Sequence, residues 1–309
     1  MTSWRARDIP DLTGRRAIVT GANSGLGFQT ALELARHGAS VLMTSRNASL
    51  GDDALRRVKA AVPDAEIACR HLDLADLDSV HEFAESNKTS VDILVNNAGV
   101  MAVPLRRTCD GFELQLGTNH LGHFALTGLL LPALLSRPGA RVVTVSSSVH
   151  RVGAMNFDDL MSERSYRPWQ AYAQSKLANL LFMRELDRRV RAAGLDLVSV
   201  AAHPGYASTN LQSVGPQMAG RRLTGAVMKA GTMVLAQSAG NGALPQLYAA
   251  SAPGVRGGDY YGPRGLAEQR GLPRKVAMSA NARDDSAALL LWERSAVLTR
   301  VQFASLQRR

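Results

Sequence analysis

The fold is decided by residues 16–27, which read Arg16-Ala17-Ile18-Val19-Thr20-Gly21-Ala22-Asn23-Ser24-Gly25-Leu26-Gly27. Their first five residues form a short apolar run that stops at a glycine, as a buried parallel strand does, and an amphipathic helix is predicted from about Phe28 to His37. Glycines let the backbone approach a pyrophosphate closely, and the free N–H groups at a helix N-terminus attract anions. The stretch therefore predicts a dinucleotide-binding turn. Its Gly-x-x-x-Gly-x-Gly spacing differs from the Gly-x-Gly-x-x-Gly of other dinucleotide folds, and an ordinary tight turn is the alternative.

Strands and helices alternate along the chain after this turn. We predict further strands at 39–44, 66–72, 91–95, 141–145 and 195–201, and helices at 48–61, 77–85, 112–135 and around Tyr172. Alternation at this spacing predicts an α/β fold of the Rossmann type, a doubly wound parallel sheet of about seven strands with helices on both faces. We interpret the chain as one domain over residues 1–309. Within it we expect an N-terminal extension at 1–14, a substrate-loop region at about 206–237 and a C-terminal segment at about 256–309.

Polar and small residues follow the predicted strands, at the edge where parallel sheets bind their ligands. The residues at these ends are Gly21, Ser45, Asp73, Asn96, Ser147 and His203. An acidic residue after the second strand usually binds the ribose hydroxyls of NAD, whereas an arginine suits the 2′-phosphate of NADP. Ser45 and Arg46 therefore favour NADP(H), with NAD(H) as a weaker option, and a solvated loop arginine is the alternative. Asp73 and Leu74 are expected to meet the adenine.

Tyr172 and Lys176 stand four residues apart in a stretch that predicts a helix. Residues at i and i+4 share a helix face, so the phenol and the ammonium project toward the same point. A nearby cation favours phenolate and lowers the phenol pKa, which suits a general acid/base near neutral pH. The spacing alone is weak evidence, because two ordinary helix-surface residues give the same pattern. Asn119 lies inside another predicted helix, where a buried amide is costly unless it is hydrogen-bonded.

Together these motifs resemble those of the short-chain dehydrogenase/reductase family over nearly the whole chain. The matching pieces are Thr20-Gly21-x-x-x-Gly25-x-Gly27, Asn96-Asn97-Ala98-Gly99, Asn119, Ser147, Tyr172-x-x-x-Lys176, and Pro204-Gly205 with Thr209. Each piece is weak evidence by itself, but the whole set in this order is highly specific. The stretch Asn119-His120-Leu121-Gly122-His123-Phe124 and the long gap between Ser147 and Tyr172 are similar to the retinol dehydrogenase-like branch of that family.

The resemblance implies a catalytic set of four residues. Tyr172 would exchange a proton with the substrate oxygen, while Lys176 would lower the Tyr172 pKa and hold the nicotinamide ribose. Ser147 would hydrogen-bond the substrate oxygen, and Asn119 would keep a water in a proton relay behind Lys176. The family pattern selects Ser147, whereas strand alternation cannot choose between the serines on either side of it, which share a face. The implied cofactor-binding residues are Gly21, Asn23, Ser24, Gly25, Leu26, Gly27, Ser45, Arg46, Asp73, Leu74, Asn97, Ala98, Gly99, Tyr172, Lys176, Pro204, Gly205 and Thr209.

The composition limits the classes of partner. The chain carries a formal charge of +10, mostly from arginines spread between Arg5 and Arg309, and aromatic residues make up only 5%. A nucleic-acid binder usually concentrates its basic residues in a patch with stacking aromatics, so nucleic acid is not expected. Cys69 and Cys109 form neither a disulfide framework nor a metal-ligand spacing, which favours a reducing, cytoplasmic location and predicts no metal site. Two uncharged stretches are interrupted by polar residues, so no integral membrane segment is predicted.

The sequence thus predicts an NADP-dependent oxidoreductase that interconverts a carbonyl and an alcohol. A dinucleotide-binding sensor or scaffold without turnover is the alternative from another class. A sugar-nucleotide epimerase or dehydratase also uses Tyr-x-x-x-Lys, but such relatives usually carry Gly-x-x-Gly-x-x-Gly at the first turn. The resemblance also allows a homo-oligomer, either a dimer or a tetramer. The substrate is expected to be an apolar aldehyde or ketone, retinoid-like or steroid-like, on the evidence of Met101, Val103, Leu105, Met155, Leu211 and Met218, although such residues are more often plain core.

Overall fold

The computed structural model describes residues 3–205 and 238–306, so that the predicted substrate-loop region and Thr209 lie outside the described residues. Its strands are β1 (Arg16–Val19), β2 (Ser40–Ser45), β3 (Ile67–His71), β4 (Ile93–Asn96), β5 (Ala140–Val145), β6 (Leu197–Ala202), β7 (Tyr260–Pro263) and β8 (Pro273–Lys275). They form one sheet in the order β3-β2-β1-β4-β5-β6-β7-β8. Neighbouring strands are parallel, except that β7 and β8 pair antiparallel.

Helices cover both faces of this sheet. They are α1 (Gly25–Arg36), α2 (Ala48–Ala61), α3 (Leu77–Glu85), α4 (Leu114–Leu116), α5 (Gly122–Leu135), α6 (Pro168–Ala192), α7 (Ala239–Ser251) and α8 (Asp285–Thr299). The strand order reverses between β1 and β4, which is the switch point at which doubly wound sheets bind dinucleotides. The predicted Rossmann-type class is confirmed, and the eight strands exceed the expected number by one. No helix within the described ranges is long and apolar enough to cross a bilayer.

Side chains of β1 divide between two hydrophobic layers. Ala17 and Val19 pack in the layer that contains residues of α1 and α7, whereas Ile18 packs in the layer of α5 and α6. All three are fully buried. A strand covered on both faces reads as a continuous apolar run, which explains why the sequence identifies β1 so clearly.

The carboxyl-terminal edge of the sheet departs from the sequence prediction, which places no strand after β6. β7 pairs with β6 through only two residues, Ala201 with Tyr260 and Ala202 with Tyr261. It ends in Gly262 and Pro263, which are poor strand formers. A strand this short carries no alternating pattern, so its position depends on the partner strand rather than on its own sequence.

The helix predicted at 112–135 is interrupted by a π-helical turn, Gly117–Leu121, between α4 and α5. The N–H of Gly122 donates to the carbonyl of Gly117, five residues back. Glycine is needed at 122 because a Cβ there would collide with the backbone of Leu74. Such turns cost helix stability and occur mostly at functional sites. This one contains Asn119.

Candidate active site

A cleft of about 1180 Å³ opens at the carboxyl ends of β1 to β4. The structure brings most of the predicted cofactor residues to its wall: Gly21, Asn23, Ser24, Gly25, Leu26, Gly27, Arg46, Asp73, Leu74, Asn97, Ala98 and Gly99. The predicted residues that do not line it are Ser45, Tyr172, Lys176, Pro204 and Gly205. The cleft therefore contains most of the residues predicted to hold the adenosine and pyrophosphate, and the residues predicted to transfer the proton do not line it.

The glycine-rich turn has the geometry that a pyrophosphate requires. Gly21 and Gly25 have left-handed backbone angles, with φ of 61° and 56°. A Cβ at Gly21 would lie 2.8 Å from the Cβ of Ala98, so the two loops that wall the cleft approach through glycine. The Ser24 side chain makes no cap hydrogen bond to the amino end of α1, which leaves N–H groups there to bind an anion. On these observations the residues present fit a dinucleotide.

The two residues predicted to bind the 2′-phosphate, Ser45 and Arg46, lie in different environments. Arg46 lines the cleft with a side chain that is 66% exposed and lies 4.0 Å from Asp73, a distance at which the ion pair constrains it little. Ser45, in contrast, is buried and donates its hydroxyl to the carbonyl of Asn47. The expectation that Ser45 contacts the cofactor is corrected, because its hydroxyl shapes the loop instead.

Arginines of α2 also reach the cleft, and the sequence analysis missed them. Arg56 and Arg57 line its wall. Arg56 pairs with Asp53, and the guanidinium of Arg57 lies 4.0 Å from the ring centroid of Phe28. In the sequence they look like one more basic pair in an arginine-rich chain. The sequence signal that could have identified them is their place in α2, the helix that directly follows Arg46.

A third missed residue is Thr118, which lines the same cleft. Its Oγ1 is buried and has no hydrogen-bond partner within the part of the chain that the structure describes. It sits immediately before Asn119 in the π-helical turn, and only that neighbourhood distinguishes it from other threonines of the sequence.

The Asn97-Ala98-Gly99 loop is held against β1 by a single hydroxyl. Oγ1 of Thr20 accepts the N–H groups of Asn97 at 2.9 Å and of Ala98 at 3.0 Å. The side-chain amide of Asn97 returns a bond to the carbonyl of Thr20 at 2.7 Å. A Cβ at Gly99 would lie 3.5 Å from the ammonium of Lys176, so this loop connects the cleft to the proton-transfer residues.

The residues of the predicted catalytic set meet at the ends of β5 and α6. Tyr172 and Lys176 are both buried on α6, and the ammonium nitrogen lies 5.9 Å from the centroid of the phenol ring. Lys176 donates to the carbonyl of Val145 at 3.2 Å. Ser147 lies close enough to the phenol of Tyr172 to favour its ionised form, whereas the hydroxyl of Ser146 is buried and donates to the carbonyl of Lys176. The hydroxyl of Ser146 is therefore used within the fold, whereas Ser147, which the family pattern selects, lies beside the phenol.

Burial changes the acidity of both members of the Tyr172–Lys176 pair. It raises the pKa of Tyr172 to about 12, and the neighbouring Ser147 side chain opposes that shift. It lowers the pKa of Lys176 to about 8. The lowered phenol pKa expected from the sequence is wrong for this structure, because loss of water disfavours the phenolate more than its neighbours favour it.

Asn119 uses its whole side chain to fix the chain around it. Its Oδ1 accepts the N–H of Val100 at 2.8 Å, and its Nδ2 donates to the carbonyl of Val100 and to the hydroxyl of Ser175. Its backbone carbonyl accepts Nδ1 of His123 at 3.0 Å. These bonds satisfy the buried amide. The role of Asn119 in holding a relay water stays a prediction.

The loop after β6 belongs to a different set of contacts. Gly205 has a φ of 68°, and its N–H donates to Nδ1 of His203. Since that nitrogen accepts, Nε2 of His203 carries the proton and donates to Glu268 at 3.1 Å. Arg151 forms an ion pair with the same carboxylate at 3.0 Å. The structure therefore places Gly205 beside the C-terminal segment rather than on the cleft wall.

Comparisons with known proteins agree with this arrangement. A family model described as short chain dehydrogenase matches residues 15–219. Retinol dehydrogenase 14 of Homo sapiens is 39% identical over 312 residues, covering 95% of this chain and 89% of the relative. Retinol dehydrogenase 13 of Homo sapiens is 38% identical over 309 residues, with coverage of 96% and 88%. A crystal structure from Mycobacterium paratuberculosis matches with a TM-score of 0.81 and 44% identity, over 98% of this chain and 99% of that chain.

The fold, the site and these relatives define an NAD(P)-dependent dehydrogenase that acts on CH–OH groups. The chain belongs to the short-chain dehydrogenase family, as its sequence motifs predict. Within that family it falls in the retinol dehydrogenase-like branch.

Proposed function

We propose that the protein is an NADP-dependent oxidoreductase that interconverts a carbonyl and an alcohol, with Tyr172 as the general acid/base. The observation that carries this proposal is the placement of Ser147 close to the buried phenol of Tyr172, whose pKa it lowers against the effect of burial. Lys176 lies on the same helix face, and Gly99 of the cleft wall approaches its ammonium. A proton donor, a hydrogen-bond donor and a cation thus meet beside a cleft that fits a dinucleotide.

In the reductive direction each of these residues has a separate chemical role. The bound cofactor supplies the hydride to the substrate carbon. Tyr172 donates its phenol proton to the carbonyl oxygen, and the hydroxyl of Ser147 hydrogen-bonds the same oxygen. Lys176 stabilises the phenolate that remains after the transfer. In the oxidative direction the phenolate takes the proton of the alcohol. A phenol whose pKa lies near 12 is a good proton donor at rest and needs the positive charge of Lys176 most in this second direction.

Charge at the open end of the cleft supports the preference for NADP(H). Arg46, Arg56 and Arg57 all line it, and Arg46 is held only loosely by Asp73. A 2′-phosphate would offer Arg46 a bidentate partner, whereas a bare ribose hydroxyl would leave the guanidinium in water. A related structure from Beutenbergia cavernae, 27% identical and with a TM-score of 0.57, is described as an NAD(P)-dependent gluconate 5-dehydrogenase with bound NADP at low occupancy; it covers 78% of this chain and 91% of that one.

We also propose an apolar substrate, in keeping with relatives that are retinol dehydrogenases. One large apolar side chain, that of Trp169 beside the predicted proton donor, is 53% exposed. Trp169 stands edge-on to Tyr172, with ring centroids 6.1 Å apart. Val103 and Met155, which the sequence also suggested, pack into hydrophobic clusters and serve as core. We propose that the described part of the C-terminal segment, residues 256–306, forms part of the substrate pocket.

The two cysteines fit a reducing compartment. Cys69 and Cys109 are both free thiols, and burial raises the pKa of Cys69, which makes that thiol less reactive. We propose a cytoplasmic location on this basis.

The test is NADPH oxidation across a panel of apolar aldehydes, ketones and quinones, with NADH in parallel and the Tyr172→Phe protein as blank. Turnover with NADPH that disappears in the blank is expected. Turnover that survives in Tyr172→Phe contradicts the acid/base assignment, and equal rates with NADH contradict the NADP assignment. Tight NADPH binding with no turnover across the panel would favour a cofactor-binding sensor.

A further inference from the structure

A buried histidine, His123, connects the Asn97-Ala98-Gly99 loop to the π-helical turn through hydrogen bonds. Its Nε2 lies 2.9 Å from the hydroxyl of Thr20, and its Nδ1 lies 3.0 Å from the carbonyl of Asn119. The hydroxyl of Thr20 holds Asn97 and Ala98, which line the cleft. Asn119 in turn holds Val100 and reaches α6. A single imidazole therefore lies between the two halves of the site.

The hydrogen-bond inventory assigns the protons of this imidazole. A carbonyl can only accept, so Nδ1 carries the proton that it donates to Asn119. Burial, opposed by the bond to Asn119 and helped by the nearby charge of Lys176, lowers the pKa of His123 to about 4, so the ring is neutral at pH 7. Nε2 is then a bare acceptor. Of the neighbouring titratable groups, Lys176 carries the charge that opposes a second proton, and His120, which burial keeps neutral, adds no charge.

The bare Nε2 determines how the hydroxyl of Thr20 is used. The oxygen has two lone pairs and one proton, and its lone pairs accept the N–H groups of Asn97 and Ala98. Its proton has two acceptors within reach, Nε2 of His123 at 2.9 Å and the carbonyl of Val95 at 3.3 Å. The shorter bond goes to the histidine. Because the hydroxyl proton is donated to His123, both lone pairs of the Thr20 oxygen can accept the N–H groups of Asn97 and Ala98.

We propose that His123 is a positioning residue. It fixes the Asn97-Ala98-Gly99 loop through Thr20 and the π-helical turn through Asn119. The first contact sets the position of Asn97 and Ala98 in the cleft. The second sets Asn119, which bonds Ser175 one residue before Lys176. The effect on turnover rests on the proposed function, whereas the effect on cofactor affinity does not.

Two substitutions of His123 test its contacts with Thr20 and with Asn119 one at a time. His123→Asn places an amide near the Nδ1 position, so it keeps the bond to Asn119 and loses the acceptor for Thr20. His123→Gln reaches the Nε2 position, so it keeps an acceptor for Thr20 and loses the donor to Asn119. Loss of one buried hydrogen bond predicts about a tenfold weaker NADPH affinity with little change in kcat for the first variant. It predicts about a tenfold lower kcat with little change in NADPH affinity for the second.

A matched control is His120→Gln, which removes a neighbouring buried histidine. His120 hydrogen-bonds Ser295 of α8 at 2.8 Å and contacts neither Thr20 nor Asn119 through its side chain. We expect this variant to lose stability while NADPH affinity and kcat stay near wild type. If all three variants lose affinity and kcat together, in proportion to their loss of stability, His123 is an ordinary core histidine and the proposal is wrong.

The tautomer gives a readout that needs no turnover. In the wild-type protein, ring ¹⁵N chemical shifts of the seven histidines are recorded from about pH 6 to about pH 8, with His123→Asn to assign the signal. A neutral ring protonated at Nδ1 throughout is expected. A ring protonated at Nε2, or a charged ring, overturns the assignment. A wild-type protein that binds NADPH with this tautomer but turns over no substrate would refute the proposed function and leave the cofactor half of the inference in place.

Discussion

The turn after β1 and the loop after β6 both follow strand ends, yet different interactions hold them. At the first, Gly21 packs its backbone against Ala98, and a threonine hydroxyl fastens the neighbouring amides. At the second, Gly205 bonds His203, whose other nitrogen bonds a carboxylate shared with Arg151. Backbone contacts fix the turn after β1, on the cofactor side, and charged side chains fix the loop after β6, on the side that we propose for the substrate.

The difference predicts how each side responds to change. Close backbone packing tolerates no added atom, but it does not depend on pH or salt. An ion pair tolerates changes of shape, but it weakens when its carboxylate is protonated. The four test substitutions below, three of which have a control variant, separate the two sides by geometry and by charge.

The largest effect is expected from Tyr172→Phe, which removes the proton donor and leaves the ring. Loss of general acid/base catalysis predicts a fall in kcat of about 10³-fold. NADPH affinity, measured by fluorescence titration, should stay near wild type because Tyr172 does not line the cleft. A variant that loses NADPH binding as well would mean that the two sides are not separable.

Gly21→Ala should produce the opposite pattern. The alanine would have to adopt a φ of 61° and press its Cβ on Ala98. Strain and overpacking together predict a loss of about 2–5 kcal/mol in the free energy of unfolding, with loss of NADPH binding. Urea denaturation and NADPH titration measure both effects.

Gly14→Ala is the control for backbone strain. Gly14 has a φ of 76°, but a Cβ there would meet no atom within 4 Å. It should cost only about 1–2 kcal/mol and leave NADPH affinity unchanged. If the two variants are equally destabilised, contact with Ala98 contributes nothing and the cofactor side is not held by packing.

This contrast also explains how much the sequence could predict. The glycine turn is a local pattern: its φ angles and its helix start are set by residues within one short stretch, so the sequence identifies nearly every one of its cleft residues. The parallel sheet and its helices follow from alternation for the same reason. The positions of Tyr172 and Lys176 were likewise available, because i and i+4 share a helix face.

Long-range contacts were not predictable in this way. The pairing of Glu268 with Arg151 and His203 joins residues far apart in the chain, and no spacing indicates it. The same limit applies to Arg56 and Arg57, which reach the cleft only because α2 packs beside β2. The direction of the Tyr172 pKa shift was missed because burial is a tertiary property.

Arg46→Ala tests whether a charged side chain also contributes to NADPH affinity on the cofactor side, where backbone contacts hold the turn after β1. Removing a guanidinium that bonds a phosphate predicts about a tenfold weaker NADPH affinity and little change for NADH. Arg36→Ala removes the same charge from the end of α1, where Arg36 pairs with Glu33 away from the cleft wall. It should affect neither cofactor. Equal losses for NADPH and NADH in Arg46→Ala would remove the basis for a 2′-phosphate site.

The smallest effect is expected from Glu268→Gln, which removes the charge of the substrate-side network and keeps its shape. Hydrogen bonds from His203 and Arg151 lower the pKa of Glu268 from 4.5 to about 2. A carboxylate with a lowered pKa stabilises the fold above its unfolded-state pKa, and this contribution is lost as pH falls from about 4.5 through about 2. The variant should therefore be less stable than wild type by about 1–2 kcal/mol at pH 7, and the difference should shrink toward pH 2.

Glu293→Gln, at an exposed position of α8, provides the comparison for this pH dependence. Denaturant unfolding at pH 7, 4 and about 2.5 should give a difference from wild type near zero at each pH for this control. A Glu268→Gln difference that stays constant down to pH 2.5 would mean that shape rather than charge holds the loop after β6. The substrate side would then be built like the cofactor side, and the contrast between them would be lost.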